Sequence, residues 1–379
     1  MAEPFKNRVD HDLVRAMADH LRRADPGFDA PRFLRAATRG LDELELKARV
    51  RHVAGALAAA LPADFARAAD AIERSLQPAR DDTELGALVT DHRGLAGFAI
   101  WPLGEFVAAR GLVEPERALS ALHALTQRWT AEFAIRPFLV EHRQRTFAAL
   151  RRWAGDPSAH VRRLVSEGSR PRLPWGMQLG FLIADPSPTL PLLERLQDDD
   201  SDYVRRSVAN HLNDIAKDHP HVVAEWVERH LPGASPQRAA LLRHACRTLV
   251  KRGDRRVLEA FGVGAPYRGE AALRLLPRRC AVGGAVELRV DLVSAAARPQ
   301  PLVADYRVHY RKADGGTSPK VRKGWKLVLA PGERRALTKT LSLAPVSTRR
   351  LYAGRHAIEL LVNGAVVAAA SFTLCAERG

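Results

Sequence analysis

Apolar positions recur at helical spacing through the first two-thirds of the chain and at alternate positions through the last third. Leu46, Val50, Val53, Leu57 and Leu61 lie along one face of a predicted helix that Pro62 stops. Phe65, Ala69, Ile72 and Leu76 repeat the pattern, and similar segments separated by Gly- or Pro-containing breaks continue to about Phe261. This predicts antiparallel helix pairs, with the alanine runs as close-packing positions. The segment Phe261 to Glu270, FGVGAPYRGE, reads as a linker. Beyond it the period is two, in Val286 to Leu292, Tyr306 to Tyr310, Leu327 to Leu329, Leu337 to Leu343 and Ile358 to Val362. Asp-Gly-Gly at 314–316, Pro-Gly at 331–332 and Asn-Gly at 363–364 supply the turns. About seven short strands in this length fit an immunoglobulin-like β-sandwich, with an open barrel as the alternative.

One helical pattern occurs twice, as DPSAHVRRLVSEG from Asp156 and DDDSDYVRRSVANHLNDIAKDHP from Asp198. Val161 and Val204 stand in equivalent places 43 residues apart, the period of two-helix HEAT-type units. In each copy an Asp or Ser is expected to cap the helix, the valine begins the buried stripe, and the two arginines point away from it. On a helical wheel Val204, Val208, Leu212 and Ile215 share one side, and Arg206, Asn210, Asn213 and Lys217 the other, with Asp214 on the flank. Arg163 matches Arg206, and Glu167 matches Asn210. Arginines repeated at one phase suit a phosphate backbone, whose charges also recur. The alternative is that they only bridge neighbouring units through acids. After Glu167, Pro171 and Pro174 exclude helix and predict a rigid loop presenting Arg170, Arg172 and Trp175 beside the carboxylate. An indole there can hold a cationic base, or can plug a unit junction. Upstream, Glu132 and Arg136 read as an i,i+4 salt bridge with Trp129 and Phe133 in the core, and Pro137 interrupts the helix. The predicted architecture is multidomain: an all-α HEAT-like repeat solenoid over 1–262 and an all-β immunoglobulin-like sandwich over 263–379.

Charge sharpens the division. The net charge is +16, and the segment from Arg256 onward holds 21 basic and 9 acidic residues. This points to a polyanion, nucleic acid or an anionic membrane, unless the whole proteome is Arg-rich. Arg311, Lys312, Lys320, Arg322, Lys323 and Lys326 cluster in one predicted hairpin against the single acid Asp314, as a DNA clamp or a solubilising loop. The three cysteines fit neither a disulfide framework nor a zinc site, so a reducing cytoplasm is expected. No apolar run approaches a membrane span, and a soluble, unexported protein is expected.

The segments TAEFAIRPFL (from Thr130), SEGSRPRLPWG (from Ser166) and YVRRSVANHLNDIAKDHP (from Tyr203) closely resemble those of the AlkC-type alkylpurine DNA glycosylases. That family lies within the HEAT-like-repeat DNA alkylation repair superfamily. YRVHYRKADGGTSPKVRKGWKL, from Tyr306, resembles the immunoglobulin-like domain attached to a subset of it. The resemblance implies a monofunctional glycosylase acting on N3-alkylated bases, 3-methyladenine and 3-methylcytosine, in duplex DNA, without a flipped-base pocket. It implies Asp214, Glu167 and Glu132 as active-site acids, Trp175 as the lesion contact, and no metal or cofactor. The expected DNA contacts are Arg163, Arg170, Arg172, Arg206, Asn210, Asn213, Lys217, Arg311, Lys312, Lys320, Arg322 and Lys323. A monomer in a bacterial cytoplasm, nucleoid-associated when acting on DNA, follows. The competing classes are a catalytically silent HEAT-repeat DNA-binding scaffold and a protein-binding adaptor.

Overall fold

The computed structural model describes residues 4–80, 87–263, 265–345 and 350–375. The chain forms two compact units, Met1–Asp218 and His219–Gly379. The first is helical: α1 His11–Ala24, α2 Ala30–Thr38, α3 Leu46–Ala60, α4 Phe65–Ser75, α5 Ile100–Arg110, α6 Pro115–Thr126, α7 Arg136–Glu141, α8 Arg143–Trp153, α9 Ala159–Gly168, α10 Gly180–Ala184, α11 Leu190–Leu196 and α12 Asp202–Asp218.

Local chemistry explains several of these boundaries. Asp10, Asp29 and Asp64 accept from the amide three residues on, capping α1, α2 and α4. Val50, Val53, Leu57 and Leu61 are buried as the stripe predicts. The same helix also buries Arg49, whose guanidinium donates to the carbonyls of Leu44, Val9, Lys6 and Asp42. Four acceptors offset the desolvation of that charge.

The two repeated segments become α9 and α12, which pack together. The capping expectation needs correction: Ser158 makes no capping bond to α9, and Asp156 instead accepts from the Ser158 amide at 2.9 Å. Asp199 does the same for Ser201, also at 2.9 Å. The first arginine of each pair then closes the turn, Arg162 on the carbonyls of Asp156 and Pro157, Arg205 on those of Asp199 and Asp200.

The second unit contains α13 Pro220–His230, α14 Pro236–Ala245, α15 Arg247–Arg252, α16 Arg255–Ala260 and eight described strands. These are β1 Gly269–Leu276, β2 Arg279–Ala281, β3 Ala285–Ser294, β4 Gln300–Arg311, β5 Thr317–Leu329, β6 Arg334–Ser342, β7 Gly354–Val362 and β8 Ala365–Cys375. Strands therefore begin just past the 262/263 division read from sequence, whereas the compact unit begins at His219. The four helices group with the strands because α15 packs on β5 and the Gly253 backbone closes on Gly364. One sheet has the order β1-β3-β6 and the other β2-β8-β7-β4-β5, with Leu288, Val290 and Leu292 of the first sharing a core with Tyr306, Val308 and Ile358 of the second. Asn363 and Gly364, both at positive φ, make the β7–β8 turn that Asn-Gly predicts.

Candidate active site

The Pro-rich loop leaves α9 at Ser169 and is closed by the Leu179 amide donating to the Pro171 carbonyl at 3.1 Å. Arg136, fully buried at the start of α7, ties its two ends: Nη1 donates to the Gly168 carbonyl at 2.9 Å and Nε to the Met177 carbonyl at 2.6 Å. This replaces the expected Glu132–Arg136 salt bridge. Residues 127–135 are turn rather than helix, and Pro137 starts α7, where it needs no donor, instead of interrupting a helix. Burial, then the neighbouring Arg170 charge, lowers the Arg136 guanidinium to about 10.

Around this loop the structure brings together all three predicted acids. Glu132 meets Arg163 Nη1 at 2.5 Å, and Arg163 Nη2 lies 3.6 Å from Glu167. Arg170 Nη1 donates to Glu167 at 2.6 Å and its Nε to Asp214 at 2.8 Å. Lys217 Nζ completes the row on Asp214 at 2.7 Å. Glu132, Arg163, Glu167, Arg170, Asp214 and Lys217 thus form a line of alternating charge. Thr130 donates to Glu132 at 2.7 Å and Ser207 to Glu167 at 2.6 Å. Burial alone would raise the Glu167 carboxyl, but Arg163 and Arg170 overrule it and hold it below its ordinary range. The same carboxylates raise Arg163 and Arg170 despite their desolvation.

Several expected phosphate contacts sit elsewhere. Arg170 is 6% exposed, so it lies beneath the loop rather than on it. Arg163 is enclosed by Glu132, with its guanidinium 5.0 Å from the Tyr203 ring. Asn213, placed on the solvent side by the wheel, is buried, because α12 is covered by α9, α10 and α11 and not by one neighbour. Arg206 and Lys217 are exposed, Arg206 reaching back to Asp202, and Asn210 is half-buried. Arg172 is partly exposed and holds Asp218 through two bonds, at 2.7 and 2.9 Å.

Trp175 is 63% exposed, which removes the core-plug reading. Its φ of 65° is a conformation that costs a bulky residue on the order of 1–2 kcal/mol. Lys47 of α3 donates to the Trp175 carbonyl and holds it there. Trp101 and Phe133, partly stacked with centroids 5.0 Å apart, line a cavity of about 150 Å3 with Trp175. Lys47, Thr130, Tyr203 and Ser207 were not singled out from the sequence; Ser207 and Tyr203 stand inside the repeated segment, the only signal available for them.

In the second unit the hairpin carries Arg311, Lys312, Lys320, Lys323 and Lys326 exposed, while Arg322 is half-buried against the Tyr310 hydroxyl at 3.0 Å.

The family described as "DNA alkylation repair enzyme" matches residues 126–249, and "Uncharacterised protein YhaZ, C-terminal Ig-like domain" matches 270–376. The chain is 35% identical to the "Uncharacterized protein YhaZ" of Bacillus subtilis over 98% of this chain and 99% of that one. It is 36% identical, with a TM-score of 0.86, to the Pseudomonas fluorescens alkylpurine DNA glycosylase AlkC bound to DNA containing an abasic site analog, covering 98% of this chain and 100% of that one. The chain belongs to the AlkC-type alkylpurine DNA glycosylase family. Among the described residues no helix is long and apolar enough to cross a membrane.

Proposed function

We propose that this protein hydrolyses the N-glycosidic bond of N3-alkylated bases, 3-methyladenine and 3-methylcytosine, in duplex DNA, as a monofunctional, monomeric enzyme needing no metal or cofactor. The observation that carries the reading is the fixed row of Glu132, Glu167 and Asp214 interleaved with Arg163, Arg170 and Lys217. Alkylation at N3 makes the base cationic and its glycosidic bond weak, so the enzyme has to stabilise an oxocarbenium-like sugar and position water. A preorganised carboxylate does both, and its attraction grows as the sugar becomes positive. Asp214 and Glu167 stabilise the cation and activate water, Glu132 supports them, and Trp175 contacts the lesion. No base is flipped into a pocket. Residues 1–262 form the HEAT-like glycosylase domain and 263–379 the DNA-binding accessory domain. Arg172, Arg206, Asn210 and Lys217 contact phosphates in the first, and Arg311, Lys312, Lys320, Arg322 and Lys323 in the second. The enzyme works in the bacterial cytoplasm, on the nucleoid.

The second reading, a catalytically silent DNA-binding scaffold, draws on one fact: each of the three acids already has a cationic partner. Incubating the protein with methylated duplex and identifying the released bases separates the two. Release of 3-methyladenine or 3-methylcytosine supports the enzyme, and release of neither supports the scaffold.

A further inference from the structure

Within the second unit, α15 and α16 and the face of β4 and β5 they cover enclose a cleft of about 560 Å3. Its apolar lining includes Val250, Leu258, Val303 and Leu327 together with the aromatic Phe261 and Trp325. Arg243, Arg247, Lys251, Lys323 and Lys326 stand around it, and Arg243 and Lys251 make no ion pair among the described residues. The one acid in the lining, Asp305, accepts from the Gly324 amide at 2.9 Å, and Lys323 and Lys326 also favour its carboxylate against the burial that raises it. An apolar hollow lined by five cations and a single acid complements a ligand with an apolar anchor and acidic flanks.

Double-stranded DNA meets only the rim of such a hollow and leaves its floor wet. A single-stranded base is served little better. Lys339 stands 5.8 Å from the centroid of the Trp325 ring, the larger aromatic in the lining, where a stacking base would have to sit. We propose that the cleft docks an acidic peptide segment of a partner protein, which inserts one or two apolar side chains between α15–α16 and β4–β5 while its carboxylates meet Arg243 and Lys251.

The test uses the full chain and a fluorescein-labelled peptide of four aspartates followed by Leu-Phe, read by fluorescence anisotropy at about 0.1 M salt, where exposed long-range attraction is damped. Saturable binding is expected. Replacing Leu-Phe by Gly-Gly weakens it at least about tenfold, the effect of withdrawing the apolar anchor. The double variant Arg243→Glu, Lys251→Glu, both at exposed positions, weakens it by a similar factor, with circular dichroism confirming the fold. Three outcomes overturn the proposal: no binding, equal binding of the Gly-Gly peptide, which reports bulk charge alone, or loss of binding in the double variant for a single-stranded oligonucleotide and not for the peptide, which makes the cleft a nucleic-acid groove.

Discussion

Arg170 joins Asp214 to Glu167 across the two repeated segments, with 2.8 Å and 2.6 Å contacts and almost no exposure. Removing one member of a buried ionic network leaves its partners charged and unpaired, at a cost of about 3–5 kcal/mol. Arg170→Met is therefore expected to lower the urea midpoint strongly, and Arg170→Lys, which keeps the charge but not the two-sided contact, to fall between it and the native chain.

Asp214→Asn and Glu167→Gln keep the shape of the row but remove negative charge from the proposed reacting centre. Each should slow single-turnover excision of 3-methyladenine by on the order of 10²–10³, while duplex binding changes little. Unchanged rates in both variants would remove these residues from the chemistry.

His211 is buried in α12 with Nδ1 bonded to the Ser166 carbonyl at 2.9 Å, and desolvation lowers it from 6.5 to about 4. A depressed folded pKa means that the unfolded chain takes up a proton the folded chain refuses. Stability from this group is complete above 6.5 and is lost as pH falls towards 4. Its full contribution is about 3 kcal/mol. In His211→Asn, whose amide can still reach the Ser166 carbonyl, urea titrations between those two pH values should show a shallower decline than in the native chain.

The backbone at Trp175 predicts an inversion of the usual order of substitutions. Trp175→Gly should be more stable than Trp175→Ala by about 1 kcal/mol, because glycine adopts positive φ without strain. Both should lose excision together, by about tenfold or more, if the indole is the lesion contact. Lys47→Met should reproduce part of that loss by releasing the carbonyl it holds. Thermal melts and single-turnover rates measured together check all three.

For the hairpin, replacing Lys312, Lys320, Lys323 and Lys326 by Gln should weaken binding to every duplex sequence. It should also flatten the slope of log K against log salt by up to about 0.9 for each phosphate no longer neutralised. An unchanged slope would make the hairpin a solubilising loop.

The sequence disclosed whatever has a period. The stripe of Val50, Val53 and Leu57 and the alternation in β3 and β7 follow from one-sided burial, and the Asn363–Gly364 turn follows from backbone sterics. β8 escaped because its run of alanines gives little alternation, and β2 because three residues carry no period. Asn213 was misplaced because a wheel assumes one buried side, whereas α12 is covered on several. The motifs identified Glu132, Glu167 and Asp214, and the bridging alternative anticipated acids as partners of Arg163, but not that Arg163 and Arg170 would link all three acids in one row. That pairing depends on a loop returning from α9, which no local spacing encodes. Arg136 shows the same limit: its bonds to Gly168 and Met177 span 32 and 41 residues.

The alternation along the row also sets how far it can be felt. Three negative and three positive groups in line have no net charge, so their field dies away faster with distance than that of a lone ion. Approaching DNA senses the chain's overall excess of +16 and meets no long-range repulsion from the acids. Only a nucleotide within contact range of Glu167 and Asp214 experiences them as anions. The arginines thus make the carboxylates short-sighted, confining their influence to groups in contact with them.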